Sequence, residues 1–239
     1  MAVQLTHCHI RRSCLHLIVF SVAGFLPRLS WSAPWDALSQ QDALGGLKAT
    51  LDKGSLAAIA KLGVENGFLN NPKVKIPLPP ALQKVESGLR LLGMKDKADQ
   101  LVTTMNRAAE QAVPLAKPLL QNAIKSMTVS DAKNILAGGD TSVTDFFRGK
   151  TQDSLSKQFL PIVKKQTDKV GLAQQYNHLA EQGGKLGLVK SNETSIESYV
   201  TQKALQGLYS LIAEEERAIR QNPVAYGSKI LEKVFGSLK

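Results

Sequence analysis

Three consecutive carboxylates, Glu214 to Glu216, form the densest acidic cluster of the sequence and are the first candidates for chemistry. Acid–base catalysis needs paired carboxylates, or a histidine, within reach of one substrate. The three residues lie in a helical pattern of about 100° per residue, which places Glu215 in the middle of an apolar arc and its neighbours near the edges. A carboxylate among apolar side chains should be paired or should line a cavity. Glu214 and Glu215 are therefore candidate binding residues, with a structural ion pair as the alternative.

A second polar cluster consists of Asn106, Arg107 and Glu110 in a predicted helix from Lys95 to Val113. Asn106 and Glu110 border the apolar face of this helix, whereas Arg107 lies almost opposite that face. Arginine carries several donors that commonly tie a loop to a helix. We keep all three residues as candidates for binding a ligand or partner, beside the alternative that they only hold the structure together.

Asp140 is the last candidate, because it follows Gly138 and Gly139 where a helix is predicted to begin. Backbone N–H groups at a helix start can bind an anion, although capping of the helix explains the pattern as well. After residue 32 the sequence contains one histidine, His178, and no cysteine. A zinc site would need more histidine or cysteine than this, so we predict no metal, no cofactor and no catalytic residue.

Residues 1–32 have the order of a secretory signal peptide. Arg11 and Arg12 precede a mostly apolar run that ends at Leu26, and the small residues Ser30 and Ser32 suit a cleavage site after residue 32. The apolar run is too short for a permanent membrane helix. We therefore expect a periplasmic or secreted protein whose mature chain, 33–239, is one helical domain without cysteine or transmembrane segment.

Composition favours closely packed helices. Of the 239 residues, 43% are hydrophobic but only 5% are aromatic, and the net charge is +10. The basic residues are spread along the chain without the tight clusters and interleaved aromatics of a nucleic-acid site, so we expect no nucleic acid as partner. An exported basic protein could meet anionic lipid or envelope polymer, or could simply have a basic surface.

The pattern predicts an all-α, multi-helix, bundle-like domain around a central helix at 194–220. Thr194 and Glu197 match a capping box, and Asn222 and Pro223 end the run. The apolar arc of this helix needs neighbours on several sides. The first mature helix, 35–62, is expected to lie at the periphery.

Other segments carry more local signals. Four prolines make 63–80 a proline-rich extended strap, and its alternating apolar residues should pack onto a helical surface or else dock a partner. Thr128 and Asp131 match a capping box. A short helix is predicted from Asp140 or Thr141 through Phe147, followed by a separate helix at 154–170.

Four strings carry a family resemblance: GFLNNPKVKIPLP at 67–79, MNRAAE at 105–110, MTVSDAKNILAGGDTSVTDFFRGKT at 127–151 and LIAEEERAIRQNP at 211–223. In this order the chain resembles the bacterial domain-of-unknown-function family 4197 over roughly residues 40–236. The resemblance implies an exported, helical protein and supplies no activity. Some members look like lipoproteins, but this chain has no suitable cysteine.

Three functions remain open at the level of sequence. The first is non-enzymatic binding of a lipid or other apolar ligand, or of an envelope protein, in a groove between helices. The second is a carboxylate-based hydrolase or lyase that uses residues such as Glu215 and Asp140. The third is a structural scaffold of the envelope.

Overall fold

The computed structural model describes residues 40–91, 93, 95–136, 138–139, 141–185 and 195–222. Within these ranges every regular element is helical and no strand occurs, which confirms the predicted all-α class. The predicted signal peptide and Asp140 lie outside the described residues. The cleavage site after residue 32 and the single-domain assignment stay predictions.

The helices follow one another with short connections. Their bounds are α1 Gln40–Leu62, α2 Pro80–Leu91, α3 Lys95–Ala112, α4 Ala116–Ser126, α5 Val129–Leu136, α6 Ser142–Thr167, α7 Gly171–Lys185 and α8 Ile196–Gln221, with a 3-10 turn at Val113–Leu115 between α3 and α4.

Helix α8 occupies the centre of the described structure, with its largest contacts against α6 and α1 and a further one against α3. The apolar arc predicted from the sequence is buried along its whole length, at Ile196, Val200, Ala204, Leu208, Leu211, Ile212 and Ile219. Burial of one such leucine or isoleucine contributes about 2 kcal/mol. The prediction of a central helix at this place is confirmed.

The start of α8 differs from the predicted capping box. Ser195 is the N-cap, and its side chain accepts a 3.1 Å hydrogen bond from the backbone N–H of Ser198. Glu197 points into the core instead of back to the cap, because Thr167 and Asn177 donate to its carboxylate at 2.9 and 3.0 Å. The donors of two neighbouring helices therefore win over the local capping pattern.

Helix α1 packs along α8 and α4, although the sequence placed it at the periphery. Leu47, Leu51, Ala58 and Leu62 are fully buried or nearly so. Gly54 faces α8, where a Cβ would make an ordinary van der Waals contact with the Cβ of Glu215 at 3.4 Å. The apolar stripe of α1 is thus part of the main core.

Helix α6 is continuous from Ser142 to Thr167, which corrects the two separate helices predicted for this region. Gly149, where the prediction left a break, has open space around it. The Thr151 hydroxyl donates to the carbonyl of Phe147 at 3.0 Å, and Phe147 and Leu155 are both buried. Packing on both sides of the glycine holds the backbone in the helix, so its low helix propensity does not end α6.

The strap at 63–80 packs onto the helices, as predicted. Its first part runs through turns up to Val74, and only 75–79 is extended. The buried side chains are Phe68, Val74, Ile76, Leu78 and Pro79. Gly207 of α8 makes room for them, because a Cβ at this position would lie 2.9 Å from the ring of Phe68.

The capping box at the start of α5 is confirmed. The N–H and hydroxyl of Thr128 donate to Asp131, and the N–H of Asp131 donates back to the Thr128 hydroxyl. These hydrogen bonds from Thr128 lower the pKa of Asp131.

No helix of the described part is both long and apolar enough to cross a membrane.

Candidate functional site

Asn106 of α3 holds the extended part of the strap. Its side-chain oxygen accepts from the N–H of Ile76 at 2.9 Å, and its amide nitrogen donates to the carbonyl of the same residue at 2.9 Å. The side chain is fully buried and imitates the two hydrogen bonds of a neighbouring β-strand. The backbone of Ile76 is therefore satisfied without a sheet.

Glu110 holds the first part of the strap one turn further along α3. One carboxylate oxygen accepts from the N–H groups of Phe68 and Leu69 at 3.0 and 3.1 Å, and the other accepts from Arg107 at 2.7 Å. This hydrogen bond with Glu110 raises the pKa of Arg107. The buried carboxylate is thus compensated by three donors, as a charge inside a protein must be.

Arg107 extends the same cluster to the surface. Its second nitrogen donates to Glu65 at 2.9 Å and to Asn66 at 3.1 Å, and Asn66 has a positive φ of 67° that turns the chain there. The cluster borders a small open pocket of about 430 Å³, with Gly63 and Pro114 on its other side. The structure therefore brings all three predicted residues together, and each one is engaged with the strap or its turn.

The three glutamates of α8 bind three different elements. Glu214 pairs with Lys73 of the strap at 3.0 Å, and Glu215 pairs with Lys61 at the end of α1. The side chain of Glu215 is 13% exposed, whereas that of Glu216 is only 2% exposed. The expectation of a partner for Glu215 agrees with this geometry, but the most buried carboxylate is its neighbour.

Glu216 caps the first turn of α6 from outside that helix. It accepts from the backbone N–H of Thr144 at 3.0 Å and also from the Thr144 hydroxyl. The first N–H groups of a helix have no partner within the helix, and a negative charge is favourable at this end. Arg220 compensates the other carboxylate oxygen at 3.0 Å and also donates to Ser142.

An open groove of about 730 Å³ lies between α6 and α8, and we call it the α6–α8 groove. The two helices run antiparallel, since Thr144 contacts Glu216 at one end and Thr167 contacts Glu197 at the other. Each wall is a row of residues four positions apart, namely Arg148, Gln152, Ser156 and Leu160 on α6 and Ser198, Gln202, Gln206 and Ser210 on α8.

Most of the side chains that line this groove end in a polar group, and the two charged ones are basic. Besides the two rows it contains Lys157, Thr201, Leu205 and Tyr209, and none of its lining residues is acidic. Leu160 is 40% exposed and supplies an apolar contact at the surface. The guanidinium of Arg148 lies 5.3 Å from the ring centre of Tyr209, whose hydroxyl shares a 2.7 Å hydrogen bond with Thr151.

Two groups of the groove wall have unusual surroundings. Burial raises the pKa of Tyr209, so that this hydroxyl stays protonated. The hydroxyl of Thr201 is the one buried side-chain N or O atom among the described residues that has no hydrogen-bond partner. A buried hydroxyl without a partner costs free energy and calls for an explanation.

None of the five predicted residues that the structure describes lines the α6–α8 groove. Asn106, Arg107, Glu110 and Glu214 surround the strap, Glu215 faces α1, and Asp140 is outside the described residues. The sequence did contain a signal for the groove. About one third of the circumference of α8 lies outside the apolar arc. This surface carries a row of small polar and amide residues, where an exposed helix usually carries charged ones.

Nothing in the described part gathers three or more His, Cys, Asp or Glu side chains that could hold a metal ion.

A family model for proteins of unknown function, DUF4197, matches residues 37–236. The chain belongs to the DUF4197 family. The DUF4197 match covers every described helix, both walls of the groove and the strap with its anchors. No curated protein and no solved structure matches the chain.

Proposed function

We propose that this protein is exported and binds a protein partner, without catalysis, in the α6–α8 groove. The observation that carries the proposal is the groove itself, whose walls combine hydrogen-bonding side chains with an exposed leucine. Groups that fix a bound molecule by hydrogen bonds and a small apolar contact are typical of binding sites for other macromolecules.

The lining supports a protein partner over a lipid or other apolar ligand. Sites for apolar molecules are lined mainly by hydrophobic side chains, with few polar groups. Here the apolar side chains are Leu160, Leu205 and the ring of Tyr209, the remaining apolar surface belongs to the stems of polar and charged side chains, and the groove is partly open to solvent. An apolar molecule would leave most of the amides and hydroxyls of the walls without partners.

The carboxylates of the sequence support a structural role better than a hydrolase or lyase. Glu215 is paired with Lys61, and Glu216 is occupied by Thr144 and Arg220. Both residues face elements other than the groove. A general acid or base must reach a bound substrate, and no lining residue of the groove is a carboxylate or a histidine.

Site-specific photocrosslinking in the producing cells tests the proposal. A photoreactive residue is placed at Gln152 or Gln206, which are exposed and belong to opposite walls, and at Asn122 of α4 as the control. We expect one and the same protein to be crosslinked from both walls and to be absent from the control. Crosslinks that are equal at all three positions, or absent from both walls, would contradict the proposal.

A further inference from the structure

The charges of the α6–α8 groove select for an acidic partner segment. Its lining contains two cations, Arg148 and Lys157, and no carboxylate. Asp145, one turn before Arg148, approaches the guanidinium only to 3.6 Å and is itself half exposed. The two cations are nine positions apart, which corresponds to about 14 Å along the axis of α6 and to about two and a half helical turns. A ligand that meets both needs two negative charges about this far apart.

The hydrogen-bonding groups of the groove favour a ligand with an unsatisfied backbone. The side chains of Gln152, Gln202 and Gln206 each donate and accept. An extended peptide offers one N–H and one C=O at every residue. A helical peptide uses these groups internally and docks through an apolar stripe instead, for which Leu160 and Leu205 provide little surface. The lining therefore fits an extended segment better than a helix.

The spacing of the cations agrees with this conformation. An extended chain advances about 3.3 Å per residue, so residues four positions apart lie about 13 Å apart. They also point to the same side of the chain, because side chains alternate. Two acidic residues with three residues between them would thus reach Arg148 and Lys157 from one segment.

Thr201 provides a separate indication of a ligand. Buried threonines of the neighbouring helix donate to a carbonyl four residues earlier, as Thr151 does to Phe147 at 3.0 Å and Thr167 to Val163 at 3.1 Å. Thr201 lines the groove at 3% exposure, and its hydroxyl has no partner. A peptide group bound in the groove would complete the hydrogen bonding of this hydroxyl.

We propose that the α6–α8 groove binds an extended acidic segment of the partner, with Arg148 and Lys157 contacting its carboxylates and Thr201 a polar group of its backbone. This inference rests on the proposed function and names the chemistry of the segment that the groove takes.

Fluorescence anisotropy with the full chain tests the inference. The probe is a labelled, unstructured peptide with two glutamates four positions apart, and the comparison peptide has lysines in their place. We expect the acidic peptide to bind at least about tenfold more tightly, with an affinity that falls as salt is added. Alginate, an anionic polysaccharide, serves as the competitor that carries charge and hydroxyls but no peptide backbone.

Variants of the groove give the matched controls. Arg148→Gln combined with Lys157→Gln should weaken binding of the acidic peptide about tenfold, whereas Lys117→Gln with Lys125→Gln, exposed lysines of α4, should not. Thr201→Val keeps the shape of the side chain and should weaken binding about three- to tenfold. Its melting temperature should not fall, which separates a loss of contact from a loss of structure.

The failures of the two proposals are distinguishable. Equal binding of the acidic and basic peptides would contradict the inference of an acidic segment. Binding of alginate that depends on Arg148 and Lys157, without binding of the acidic peptide, would contradict it as well. In both cases the crosslinks from the groove would still support the proposed function. If neither peptide binds and Gln152 and Gln206 give no shared crosslink, the proposed function falls as well.

Discussion

Glu216 shows how a buried carboxylate can be engaged by structural partners on both of its oxygens. Its oxygens are used by the first turn of α6 and by Arg220 of its own helix. The helical wheel predicted Glu215 for the buried position because a wheel measures only the angle to the apolar arc. It contains no information about the N–H groups of another helix that reach the edge of that arc, because this contact joins residues far apart in the sequence.

Replacement of Glu216 by glutamine tests this role. The loss of a buried charge that is paired and hydrogen-bonded should reduce the free energy of unfolding by about 3 kcal/mol, since Arg220 stays behind in a nearly buried place. Glu214→Gln is the matched control, because its pair with Lys73 is exposed and should contribute less than about 1 kcal/mol. Urea unfolding measures both, and equal losses would refute the assignment.

The helices and the strap were predictable where apolar periodicity or proline determines the local structure. Residues 194–220 and 63–80 are examples, because their patterns leave few alternatives. The continuity of α6 was not predictable, since a glycine at 149 lowers helix propensity and the packing that overrides it comes from α8. Likewise, Ser195 and Ser198 are a weaker capping signal than Thr194 and Glu197, but Thr167 and Asn177 withdraw Glu197 from the cap.

The attachment of the strap to the helices should depend more on Asn106 than on the residues of the strap itself. Asn106→Ala leaves the N–H and C=O of Ile76 without partners, which should lower the free energy of unfolding by about 2 to 4 kcal/mol. It should also speed cleavage by trypsin after Lys75, which is exposed in the strap. Asn122→Ala, at the exposed surface of α4, should change stability by less than about 0.5 kcal/mol. Unchanged cleavage after Lys75 in the Asn106 variant would contradict this anchoring.

In the described structure, other helices pack around the central helix α8. The sequence predicted this arrangement because α8 is apolar over most of its circumference. The α6–α8 groove was not predicted, because a groove requires two polar rows that face each other. The α8 row differs from an ordinary exposed surface by its lack of charge, but the sequence does not show that the α6 row faces it.

Hydrogen exchange should reveal a gradient of stability across the molecule. The amides in the middle of α8 should exchange only by global unfolding, because this helix is buried against several elements. Helix α2 should exchange through local opening, since its contacts are mainly with α3 and Leu91 at its end is 89% exposed. Low concentrations of urea should therefore accelerate exchange in α8 but hardly in α2. Equal sensitivity to urea in both helices would contradict this gradient.

The three glutamates of α8 also determine how this helix can move. Successive residues point about 100° apart around a helix, and here they are held by Lys73 of the strap, Lys61 of α1 and the first turn of α6. A rotation of α8 by one residue would break all three attachments at once. The C-terminal half of α8 is therefore held in its angular setting from three sides, and the buried attachment of Glu216 to the first turn of α6 contributes most of this restraint.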